Sequence, residues 1–174
     1  MTVKKTTTVL LLAVGLGFLC YFAIKTFQKV AKTAAEQTAT MPDFAIKNKE
    51  GNVFSKRSLE KNTPSVFIAF HPECEHCQYE AKSINDKQKE LANTNIILFT
   101  SANDSLIHAF SKTYGLDSLK NVHILNDSTN TMRQLFAIKS MPTVIIYNAQ
   151  NQLVKRFNGE TKIDAILKYT QMGN

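Results

Sequence analysis

Cys74-Glu75-His76-Cys77 holds two cysteines whose type and spacing suit redox chemistry. They follow the apolar, β-rich run Ser65-Val66-Phe67-Ile68-Ala69-Phe70 and the breaker His71-Pro72-Glu73, so they fall where a strand turns into a helix. At a helix start the unpaired backbone N–H groups and the macrodipole favour an anion, so Cys74 is expected to ionise more readily than an ordinary thiol. Cys77 lies one turn further in, within reach of closing a disulfide. A Cys74 thiolate can attack a substrate disulfide, and Cys77 can then resolve the mixed intermediate.

Other uses of the pair stay open at this level. A static disulfide across so short a loop would add little stability. A zinc site normally needs a second ligand pair, and no second Cys-x-x-Cys occurs. His71 and His76 leave room for a four-ligand or copper-carrying cluster. His76 either lends positive charge or a hydrogen bond to the Cys74 thiolate or is a solvated helix residue. Glu80, three positions after Cys77, either shuttles a proton to and from Cys77 or is a surface acid. Glu73 and Glu75 oppose a thiolate by like charge yet sit well on the helix dipole. In Ser140-Met141-Pro142-Thr143 the proline lacks an N–H and belongs at the start of a strand. A cis Met141–Pro142 bond would turn the chain sharply and aim Met141 backbone groups at the cysteines, whereas a trans proline would mark an ordinary loop.

The elements that must position these residues follow from the hydrophobic pattern. Residues 44–47 and 52–55, around Lys49-Glu50-Gly51, read as a short hairpin. The run at 65–70 does not alternate, which suits a central strand covered on both faces. A helix is expected over 74–91, a strand over 96–100, a helix over 105–114 stopping at Gly115, a strand over 122–125 and a short helix over 131–137. Residues 143–147 and 153–157 form a closing hairpin, and a last helix spans 162–172. Strands alternating with helices and then a hairpin describe an α/β chain with a central mixed sheet flanked by helices.

With 44% hydrophobic and 20% charged residues, the 174-residue chain has the make-up of a folded domain plus an appendage. The net charge of +7 does not mark a nucleic-acid binder. Lys4, Lys5, Lys25, Lys29 and Lys32 lie in residues 1–32 with no acid, which leaves 16 basic against 14 acidic side chains elsewhere and no dense basic stripe. From Val9 to Ile24 sixteen residues carry no charge, covering ~24 Å as a helix. Flanking Thr6–Thr8 and Thr26-Phe27, with Lys25 snorkelling, bring this close to a ~30 Å bilayer core. The expectation is an uncleaved anchor over residues 1–27, a linker over 28–41 and a domain over 42–174. A cleaved signal peptide and a buried helix are the alternatives. Cys20, inside the apolar run, is read as packing.

Taken in order, Met41-Pro42-Asp43-Phe44 with Gly51, Val66–Phe70 followed by Cys74-Glu75-His76-Cys77, Glu80, the stretch from Phe136 to Thr143, and Asn151 to Gly159 resemble the thioredoxin-like superfamily. The likeness is to its membrane-anchored TlpA/ResA-type thiol–disulfide oxidoreductases, and it covers most of residues 41–173. Residues 105–125 match the helix and strand that those proteins insert. The resemblance implies a thioredoxin-like fold with Cys74 attacking, Cys77 resolving, His76 and Glu80 tuning, and Met141 and Pro142 shaping the substrate groove. It implies reduction of disulfides in exported proteins, for example in cytochrome c maturation, at the inner membrane with the catalytic domain periplasmic. Partners would be cysteine-containing exported proteins and a thiol–disulfide electron donor in the membrane; no cofactor and no resident metal is implied. Two departures stand out. The tryptophan usual before the first cysteine is replaced by Glu73, and the Pro-x-x-x-Thr-x-x-Cys signature of the related peroxiredoxins is missing at Cys74, which argues against peroxidase activity.

Overall fold

The computed structural model describes residues 15–26, 39–47 and 52–172. The beginning of the apolar run at Val9, residues 28–38 of the expected linker and the turn Lys49-Glu50-Gly51 lie outside the described residues. The chain divides into two units, residues 1–37 and 38–174. In the first, residues 15–26 are helical (α1) and exposed throughout. No helix among the described residues is long and apolar enough to cross a membrane.

The second unit is built on five strands in the order β5-β4-β3-β6-β7. These are β3 (Ser65–Ala69), β4 (Asn95–Thr100), β5 (Val122–Asn126), β6 (Thr143–Tyr147) and β7 (Leu153–Asn158), while β1 (Ala45–Lys47) and β2 (Val53–Ser55) form a separate antiparallel hairpin. β3 pairs in parallel with β4, which pairs in parallel with β5; β6 runs antiparallel to both β3 and β7. Among the described residues the α-helices of this unit are α2 (Glu75–Asp86), α3 (Asp104–Thr113), α4 (Thr131–Leu135) and α5 (Ile163–Gln171).

The unbroken apolar run of β3 has its reason in this sheet. Successive strand residues point to opposite faces. Val66 and Ile68 enter the core beneath α2 and α5 with Ala81, Ile84 and Ile166, whereas Phe67 and Ala69 enter the other with Phe136 and Tyr147. Phe67 packs edge-on against Tyr147 and beside Phe136. Met41 also belongs to this second core; its N–H donates to Asn151 O at 2.8 Å, and Thr40 bridges Gln152. The fold therefore takes up residues at the end of the expected linker.

Helix boundaries differ from expectation: α4 ends at Leu135 rather than 137, α5 runs Ile163–Gln171 rather than 162–172, and two further differences have a visible cause. α2 ends at Asp86 rather than Leu91, because Lys87 leaves helical geometry (φ −106°, ψ 21°) and the chain continues in tighter turns, Gln88 N–H to Asn85 O and Glu90 N–H to Lys87 O. Gln88 Nε2 donates to both Asn85 O and Oδ1 at 3.2 Å, a side-chain competitor to the helical ladder. The turns also carry Leu91 into the core. α3 begins one residue early, at Asp104, since Asn103 Oδ1 accepts the Leu106 N–H and caps it. It stops as expected at Gly115, whose φ of +65° only glycine adopts freely and where an added Cβ would meet Asn85 at 3.0 Å. The whole is a thioredoxin-like α/β fold.

Candidate active site

The sheet register assembles the site. Ala69 at the end of β3 pairs with Thr143 at the start of β6, so the chain entering α2 and the chain leaving Pro142 emerge side by side. The Met141–Pro142 peptide is cis, and Thr143 Oγ1 donates to Ser140 O at 2.7 Å. Pro142 precedes the strand, where its missing N–H costs no ladder bond.

Cys74 is the N-cap of α2, with extended backbone (φ −84°, ψ 117°). Its N–H donates to His71 O and its carbonyl accepts from Gln78 N–H, both at 3.0 Å. Gln78 Nε2 donates to Pro72 O at 2.9 Å and secures the entry turn. Cys77, Glu80, Ala81 and Ile84 form the buried stripe of the helix at the spacing of one helical face. Cys74 is partly buried and Cys77 only 2% exposed; both are free thiols, joined by a hydrogen bond. Burial pushes the Cys77 thiol well up from its ordinary value. A backbone hydrogen bond of His71 opposes this, while the hydrogen bond with Cys74 and the charges of Cys74 and Glu80 add to it.

Glu80 is 2% exposed, which excludes the surface acid allowed by the sequence. Oε1 accepts the Thr161 N–H at 2.8 Å; Oε2 is buried with no hydrogen-bond partner among the described residues. Burial raises this carboxyl to about 7; the Thr161 bond opposes the rise, the Glu160 charge adds to it, and His76 opposes it. His76, with 65% of its side chain exposed, places Nδ1 on the Glu160 carboxylate. Its Nδ1 is thus held by Glu160 rather than free in solvent. The structure brings Cys74, Cys77, Glu80 and His76 together at the head of α2, with Met141 packed against the same core.

The turn between β7 and α5 was not singled out from the sequence. Gly159 N–H donates to Pro142 O at 2.8 Å, Glu160 engages His76, and Thr161 N–H engages Glu80. These partners lie up to 84 positions away, and no local pattern marks them. Arg156 was missed too: its Nη1 and Nη2 donate to Phe136 O (2.7 Å) and Ala137 O (3.0 Å), ahead of the loop that ends at Pro142.

The metal-carrying alternative finds no ligand set. Among the described residues no group of three or more His, Cys, Asp or Glu side chains is placed to hold a metal ion. His71 Nδ1 accepts the Glu73 N–H at 3.3 Å, and His76 is engaged by Glu160.

No curated protein sequence matches the chain. Among solved structures it is similar to a secreted disulfide oxidoreductase of Mycobacterium tuberculosis (TM-score 0.64, 19% identity, covering 79% of this chain and 98% of that one). It is similar to the peroxidoxin BcpB of the same organism (TM-score 0.65, 16% identity, 78% and 96%). A third likeness is to the exposed lipoprotein thioredoxin of Streptococcus pneumoniae (TM-score 0.59, 20% identity, 75% and 98%). At these identities the likeness is one of fold. A family profile matches residues 37–156, well over half of the sequence and the whole stretch from the hairpin through the dithiol to β7: the chain belongs to the AhpC/TSA family.

Proposed function

We propose that the chain is a membrane-tethered thiol–disulfide oxidoreductase that reduces disulfides of exported proteins through Cys74 and Cys77. The observation that carries this is the asymmetry of two touching thiols, one partly exposed at the N-cap of α2 and the other buried one turn inside. Cys74, as thiolate, attacks one sulfur of a client disulfide; a mixed disulfide forms and the other client sulfur leaves as a thiolate that takes up a proton. Cys77 passes its proton towards the Glu80 carboxylate, and its thiolate attacks the Cys74 sulfur. The second client thiolate is expelled, two electrons have moved to the client, and the protein holds a Cys74–Cys77 disulfide. A membrane dithiol donor restores the reduced pair. Met141, packed against the same core as Cys74, is the residue we assign to the groove for an extended client segment.

The tether rests on the Val9–Ile24 run behind Lys4 and Lys5. In α1, Leu16, Phe18, Leu19, Phe22 and Ile24 are all exposed, an apolar surface that suits lipid better than water. A periplasmic domain follows from the chemistry, since client disulfides persist in oxidising compartments. Apocytochromes are one client class that fits. The similar proteins described as secreted and as an exposed lipoprotein support this placement. Peroxide reduction fits less well: the peroxiredoxin signature would require Pro and Thr where Phe67 and His71 stand.

A Cys77→Ser variant expressed in cells tests the proposal. It should accumulate client proteins disulfide-linked to Cys74 in the membrane fraction, and a Cys74→Ser variant should not. Absence of any Cys74 adduct overturns catalysis by exchange. Alkaline extraction, together with labelling of Cys74 by a membrane-impermeant maleimide in intact spheroplasts, tests the anchor and its orientation.

A further inference from the structure

Three consecutive residues between β7 and α5 touch three parts of the redox site. Gly159 N–H holds the Pro142 carbonyl, the Glu160 carboxylate holds His76, and Thr161 N–H holds Glu80. His76 and Glu80 are i and i+4 on α2, so successive residues of the turn engage successive turns of the helix. From this geometry we infer that Glu160 is a positioning residue of the thiol exchange: by holding His76 beside Glu80 it sets the proton balance of that buried acid, and with it the pH range in which Cys77 resolves the mixed disulfide. The inference rests on the oxidoreductase reading above.

The groups facing Glu80 have opposite effects. Glu160 presents a like charge, which favours the protonated carboxyl; His76, when charged, favours the carboxylate. From its own helix Glu80 also faces Cys77, and through it Cys74. The remaining ionisable side chains over residues 73–86 and 159–164, namely Glu73, Glu75, Tyr79, Lys82, Asp86, Lys162 and Asp164, are exposed to solvent. Because Glu160 and His76 are paired, each tempers the other's influence. Glu80 loses its proton to become the base for Cys77 and regains one as Cys77 is deprotonated, so the pair governs both halves of that transfer.

The test follows the Glu80 carboxyl by ¹³C NMR titration of the reduced full chain in detergent, with Glu80→Gln to assign the signal. Glu160→Gln should move the midpoint to lower pH and His76→Gln to higher pH, each by about half a unit, while Glu160→Asp should stay near wild type. The pH midpoint for client release from Cys74 should move in the same directions. Coinciding midpoints in all four proteins overturn the inference. So do shifts of one sign in both variants, which general loosening of the turn would produce. Client release that ignores the titration shifts overturns the role in exchange. The oxidoreductase reading fails separately, if Cys77→Ser traps no client.

Discussion

Thr161 donates its backbone N–H to Glu80 Oε1 at 2.8 Å, while Oε2 of the same carboxyl is buried without a partner among the described residues. One donated hydrogen bond does not offset the loss of water around a full negative charge, so the neutral acid persists to higher pH than in an exposed carboxyl. Since the folded value, about 7, lies above the ordinary 4.5, the folded state binds this proton more tightly than the unfolded chain does. The stabilisation is complete below pH 4.5 and is lost as pH rises through 7. Its size is about 3 kcal/mol at most. Glu80→Gln should flatten this part of the stability profile and slow client release. Urea unfolding of the reduced proteins at pH 5 and 8 is the check; parallel profiles for both would contradict it.

The two thiols should differ sharply towards alkylation. Cys77 is buried and its thiol holds its proton well above the ordinary range, whereas Cys74 reaches the surface at the helix N-cap. Iodoacetamide at neutral pH should modify Cys74 of the native reduced protein, leaving Cys77 until denaturant is added. Peptide mass spectrometry reads the order, and equal labelling would remove the asymmetry on which the exchange scheme depends.

Arg156 links β7 to the loop that ends at the cis-proline. Its guanidinium supplies donors to the carbonyls of Phe136 and Ala137, and Ala137 sits at φ +47°, a conformation costly for a residue with a Cβ. Arg156→Ala leaves both part-buried carbonyls without these donors and should cost about 2 kcal/mol. Arg156→Lys, lacking the planar fork, should recover only part of it. Thermal melting of the three proteins tests this; an unchanged melting point in Arg156→Ala would show that the loop holds its form unaided.

Gly159 separates a backbone effect from a packing effect. Its φ is +110°, and an added Cβ would meet nothing within 4 Å. Gly159→Ala should therefore destabilise through the backbone alone, by roughly 1–3 kcal/mol. It should also weaken the Gly159–Pro142 hydrogen bond. Circular dichroism melts give the first quantity and client-trapping yield in the Cys77→Ser background reports the second.

Much of this architecture is local in origin. The alternate faces of Val66, Phe67, Ile68 and Ala69, the stop at Gly115 and the proline ahead of β6 each depend on neighbours within a few residues, so spacing and residue type sufficed to place them. The same holds for Cys74 at a helix start with Cys77 one turn inside. The end of α2 was less legible, because side-chain bonds between Asn85 and Gln88 compete with the ladder in a stretch that still reads as helical. Whether Glu80 is a surface acid or a buried one, and whether His76 is free or held, was undetermined by the chain around them. Those answers come from Glu160 and Thr161, which β7 delivers from some eighty positions away, and burial and pairing of that kind exist only once the sheet has closed. The sequence by itself settled which atoms are available for redox chemistry and in what order along the chain. Only the tertiary structure decided their environment, because electrostatic and hydrogen-bond partners are chosen by proximity in space, which periodicity along a strand or helix does not encode.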